Sequence, residues 1–199
     1  VSFQPLAVIG DEDSGSDVLS GSVSALLLSD RRVAVADGGS RKIRIFSADG
    51  LLQRSFGGDG NGPGEFRRLT AMRHGPGGGL CALDSLLSRV TCFSAAGAIQ
   101  TTMEVDRSEV QQVLPAFVGV FDDTTVVLRD WPPTQQMHDD PEGERRDSVN
   151  YLRFDAVGAP KGTLVRVPGE ETDWLEGEVW SNEQILFGNN ASALTPQQL

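Results

Sequence analysis

Apolar residues in this chain arrive in short runs broken by turn residues, and nowhere do they recur at helical spacing. In Lys42-Ile43-Arg44-Ile45-Phe46 polar and apolar positions alternate with a period of two, the mark of a half-buried strand. The same reading predicts strands at 24–28, 32–37, 42–47 and 51–56, with turns at 29–31, 38–40 and 48–50. A strand at 6–9 running into the polar stretch 10–17 opens the chain, and another begins at 185–188.

Laid on itself, the chain repeats. Val33-Ala-Val-Ala-Asp37, Leu80-Cys-Ala-Leu-Asp84 and Val126-Val-Leu-Arg-Asp130 each end a strand on aspartate, spaced 47 and 46 residues apart. The strands that follow match as well: Ile43-Arg-Ile-Phe46, Val90-Thr-Cys-Phe93 and Tyr151-Leu-Arg-Phe154, each closed by a turn ending in glycine. The third unit carries about 14 extra residues between its second and third strands, within 131–148, read as a long loop. Beyond the fourth strand of that unit, near 162–167, the register blurs through 168–183.

A period near 47 built from four short antiparallel strands is the sequence form of a β-propeller blade. The expected fold is all-β and a single domain of about three complete blades with partial ones at both ends. The blade end falls at 1–21, blades at about 22–66, 67–112 and 113–170, and the start of the next at 171–199.

The residues joining blades are Phe56-Gly-Gly58-Asp-Gly60-Asn-Gly62-Pro63-Gly64-Glu65-Phe66. Alternating glycines can take positive φ and Pro63 has its φ preset, so the backbone must turn here, with a phenylalanine entering a packed layer on either side. The stretch lacks the Lys-Ser/Thr of a P-loop, and Glu65 stands where a dinucleotide motif needs glycine. It reads as a structural joint.

Together, Val35-Ala36-Asp37, Phe46-Ser-Ala-Asp-Gly50 and Gly58-Asp-Gly-Asn-Gly-Pro-Gly-Glu-Phe66 resemble the six-bladed propellers of the NHL-repeat type, over roughly residues 20–167. The resemblance implies a bacterial-type repeat protein that binds a protein or small ligand without catalysis. A six-bladed ring at this period needs about 280 residues, so the chain is expected to be part of a larger propeller, with exposed blade edges that can self-associate. Propeller lactonases and lyases supply the alternative, a metal-dependent hydrolase or lyase with its site in the central channel.

Composition narrows the partners. A net charge of -11 and a pI near 4.5 argue against nucleic acid, and no run approaches the roughly 20 apolar residues that insert into a membrane. Turns between second and third strands, together with the connections between blades, emerge at one end of the fold, where ligand binding concentrates. There the insertion offers Trp131, His138, Asp139, Asp140, Arg145 and Arg146 as ligand candidates. Asp37, Asp84 and Asp130 can cap the turns that follow them or, if they converge on a channel, hold a cation; calcium is the one cofactor contemplated. The two histidines, His74 and His138, fall at opposite ends, which leaves no catalytic triad and no catalytic residue to name.

If Asp84 faces Arg89 across a tight turn, Cys81 faces Cys92, within reach of a disulfide; two buried thiols are the alternative. A bridge would place the protein in a secreted or periplasmic setting.

Overall fold

A computed structural model describes residues 8–9, 18–110, 115–121, 125–130, 143–175 and 178–181. They form three antiparallel sheets. The first is β1 (Ser22–Leu27), β2 (Val33–Asp37), β3 (Lys42–Phe46) and β4 (Leu52–Gly57), in that order. The second is β5 (Leu69–His74), β6 (Leu80–Asp84), β7 (Arg89–Phe93) and β8 (Ile99–Glu104). The third runs through β9 (Ala116–Phe121), β10 (Thr125–Asp130), β11 (Gly143–Phe154) and β12 (Pro160–Leu175), and adds β13 (Glu178–Ser181) on its outside. Short 3₁₀ turns at Pro76–Gly78 and Arg107–Glu109 are the helical content among the described residues.

Sequential strands pair as neighbours in every sheet, and β5 lies against both β1 and β9. The innermost strands are thus side by side, the arrangement of propeller blades. Packing follows the two-residue alternation. In β6, Leu80 and Ala82 join Ala34, Ala36, Ile43 and Ile45 in one core between the first two sheets. Cys81 and Leu83 point the other way, into a second core with Phe117, Val126, Leu128, Leu152 and Phe154. Every residue of β6 and β7 is therefore buried.

Several expectations change. Phe56 and Phe66 do not enter layers on opposite sides: both pack in the first core against Phe93, with ring centroids 5.0 and 6.3 Å away. The connecting loop doubles back, so its two ends return to one layer. Residues 143–148 were expected in a loop but belong to β11, and 168–175 belong to β12. Their ladder runs from Leu152↔Thr163 through Val149↔Val167 to Gly143↔Trp174. Main-chain pairing across a long hairpin needs no conserved register with other blades, which is why the repeat comparison loses it. Of the strand expected at 6–9, Val8 and Ile9 are described and neither is in a strand; 185–188 lies outside the described residues.

Candidate functional site

The second-to-third-strand turns and the inter-blade connections share one end of the sheets, and the side chains fastening them show what this end is built to do. Asp84 closes β6 with its carboxylate fully buried. Oδ2 accepts from the backbone N–H groups of Arg67 and Arg68, at 2.6 and 3.3 Å, in the incoming connection; Oδ1 accepts from Leu86 and Leu87, both at 2.9 Å, in the turn it starts. One carboxylate thus ties the incoming connection to the turn, beside the bond from Ser85 N–H to the Arg68 carbonyl at 3.1 Å.

Asp37 does the same one blade earlier. It accepts from Ser20 N–H at 3.3 Å and Ser40 N–H at 3.5 Å, and from both serine hydroxyls, while Arg44 stands 3.4 Å away. Burial alone would raise the Asp37 carboxyl, but hydrogen bonds from Ser40 and Ser20 outweigh it and hold it below the ordinary carboxylate value. Asp130 occupies the equivalent position, buried and opposite Asn150.

Arg89, opposite Asp84, holds the glycine loop. Its buried guanidinium donates to the carbonyls of Asn61, Gly62 and Glu65 at 2.8, 3.1 and 2.5 Å. Three carbonyls converging on one cation need a backbone that folds back tightly. Gly58 and Gly64 provide it with φ of 152° and 75°, whereas Gly60 and Gly62 have no positive φ and matter because a Cβ there would meet the Glu65 carboxylate. Glu65 accepts from Gly62 N–H at 2.8 Å, and Pro63 lies on the exposed crest of the loop. Asp59 reaches outward to Arg41 and Arg67, each at 3.1 Å.

Cys81 and Cys92 are joined by a disulfide across directly opposed positions of β6 and β7. Both are buried in the second core, so the bridge stiffens the blade rather than offering thiols to a ligand. Nearby, a shallow surface cleft between the second and third sheets is lined by Leu83, Ser85, Ser88, Val105, Arg107, Pro115 and Leu128. Ser85 Oγ is buried there without a hydrogen-bond partner. Among the described residues no group of three His, Cys, Asp or Glu side chains is placed to hold a metal ion.

Of the ligand candidates, Trp131, His138, Asp139 and Asp140 lie outside the described residues. Arg145 and Arg146 sit on β11, opposite Thr172 and Glu171 of β12. The structure keeps Asp37 and Asp84 on separate turns, each with its own backbone donors. Sequence reasoning missed Arg89 as the loop's anchor. Its signal was available in a cation directly opposite the strand-end aspartate, next to a loop of free carbonyls.

No protein-family model matches the sequence, and no curated protein matches it. Solved structures do resemble the fold. A Bacteroides fragilis protein assigned to export aligns with a TM-score of 0.54 at 10% identity, over 80% of this chain and 41% of its own. A Bacteroides caccae protein of unknown function gives 0.48 at 12%, over 70% and 47%. Virginiamycin B lyase of Staphylococcus aureus gives 0.43 at 9%, over 80% and 62%. The chain spans about half the length of these structures. Likeness at this level bears on fold alone; the sheet geometry defines the class, an array of β-propeller blades of four antiparallel strands. No helix among the described residues is long and apolar enough to cross a membrane.

Proposed function

We propose that this chain is part of a six-bladed propeller of the NHL type that binds a protein or small ligand at its loop-rich end and performs no catalysis there. One observation carries the reading: the buried carboxylate of Asp84 is occupied by four backbone N–H donors. Asp37 is similarly engaged. A carboxylate that must accept these bonds to hold two chain segments is a poor general base and a poor metal ligand, since either role would leave buried N–H groups unpaired. What remains exposed at this end is shape and surface chemistry on rigid turns, which suits recognition. The Cys81–Cys92 bridge supports a secreted or periplasmic location.

Hydroxyl-radical footprinting of the full-length protein with and without its bound partner tests this. Protection is expected at Asn61, Pro63 and Leu86, and none at Asp49 or Val157 at the opposite end. Protection confined to the opposite end, or a stoichiometric divalent metal retained through purification and lost in Asp84→Ala, would overturn the reading.

A further inference from the structure

Charge is unevenly divided along this chain. Residues 18–74 hold nine lysines and arginines against five acidic residues, although the chain as a whole carries a net charge of -11. At the loop-rich end part of that excess gathers where the first two sheets join. Arg41 lies in the turn between β2 and β3, and Arg67 and Arg68 end the glycine-loop connection into β5. Asp59 draws the first two together: its Oδ2 lies 3.1 Å from Arg41 Nη1 and its Oδ1 3.1 Å from Arg67 Nη1. Arg41 Nε also donates to the Arg67 carbonyl at 3.0 Å, which fixes the turn against the connection. Two cations sharing one carboxylate leave a positive balance, and their side chains stay 37% and 45% exposed. Nη2 of Arg41, and Nε and Nη2 of Arg67, donate to no acceptor among the described residues. Arg68 is exposed as well, and no carboxylate among the described residues pairs with it.

We propose that Arg41, Arg67 and Arg68 form the docking surface for a short acidic segment of a partner protein, one that presents aspartate or glutamate side chains; this rests on reading the loop-rich end as the binding end. All three cations are arginines, whose planar forks take a carboxylate on paired N–H donors where a lysine offers only a point charge. Asp59 already shows the mode, with one carboxylate oxygen on each of two guanidinia. By holding them in place it also removes part of the rotamer freedom that docking would otherwise cost. The platform is firm, because the backbone N–H groups of Arg67 and Arg68 are bonded to the buried Asp84 carboxylate. Net charge then selects the size of the partner. A long polyanion such as nucleic acid overruns the patch onto acidic surface and is repelled there, and two copies of the chain repel each other. A short acidic segment meets only the patch, since charges are screened beyond roughly 8–10 Å at physiological salt.

The test uses the whole chain and a labelled peptide of alternating glutamate and serine, read by fluorescence anisotropy. Binding is expected, weakening at least about tenfold between about 50 and 500 mM salt as the charges are screened. Arg67→Gln/Arg68→Gln should weaken it at least about tenfold, because the backbone bonds to Asp84 remain while the forks are lost. Arg31→Gln/Lys161→Gln removes the same charge from exposed positions at the opposite end and should leave affinity within about twofold. An oligothymidylate of about 20 nucleotides is expected to bind more weakly than the peptide. Phenylglyoxal labelling, located by mass mapping, should show the peptide shielding Arg67 and Arg68 and sparing Arg31. No binding, equal losses in the two double variants, or tighter binding of the oligonucleotide overturns the proposal, as does a dimer of the chain that excludes the peptide. Shielding of Arg107 in place of Arg67 and Arg68 excludes this patch and leaves the loop-rich end standing as the binding end. Shielding confined to Arg31 overturns both readings.

Discussion

The second and third sheets start from the same repeat and end differently. In the second, the two central strands are five residues each and wholly buried, with one core on each face and a disulfide between them. In the third, β10 is followed by the hairpin of β11 and β12, whose strands span 12 and 16 residues, and on β12 Leu164 and Val165 are exposed. A blade between two blades has no freedom, because a change on either face disturbs a core. Extra length is tolerated where the strand outruns the blade, and there main-chain pairing replaces side-chain packing.

The contrast can be broken most strongly at Phe93. Phe93→Ala removes the ring shared by Phe56 and Phe66 and should cost about 3–5 kcal/mol in urea unfolding. Val165→Ala, on the third sheet's exposed surface, should stay within about 0.5 kcal/mol. Equal effects would mean that the second blade is not the keystone.

Opening the Cys81–Cys92 bridge with a double Cys→Ala change should lower stability by about 2–3 kcal/mol, given the short loop it closes. Alkylation should add two labels only after reduction.

Asp84→Ala leaves buried backbone donors without an acceptor and should cost about 2–3 kcal/mol, whereas Asp59→Ala, which removes exposed ion pairs, should cost less than about 1 kcal/mol. Chemical denaturation of both variants ranks them.

The smallest effect is with pH. Because the folded Asp37 carboxyl is held below its ordinary value, its stabilisation is fully present above the unfolded value of 3.8 and is lost as pH falls through the folded one. Asp37→Asn should flatten the acid limb of the stability profile below about pH 4, and an unchanged limb would remove Asp37 from this role.

Much of this was legible in the chain. Two-residue alternation identified the strands, the 47-residue spacing aligned the blades, and counting back from Asp84 and Arg89 paired Cys81 with Cys92. These are local or periodic signals, set by pleat geometry and turn chemistry that each segment carries within itself. The long hairpin was not legible, because 143–148 and 168–175 are polar, match no other unit, and become strands only by pairing with each other.

Tertiary structure alone decided what the polar groups do. An aspartate at a strand end can cap a turn or bind a cation, and the sequence contains both readings. Only folding brings Arg67 and Arg68 beneath Asp84, and brings three carbonyls of the glycine loop around Arg89. Such partners lie 16 to 28 residues apart, where no local pattern reports distance. The repeat determined by itself that there are blades. Which groups at their loop-rich end are already occupied, and which stay open to a partner, followed from how the blades meet.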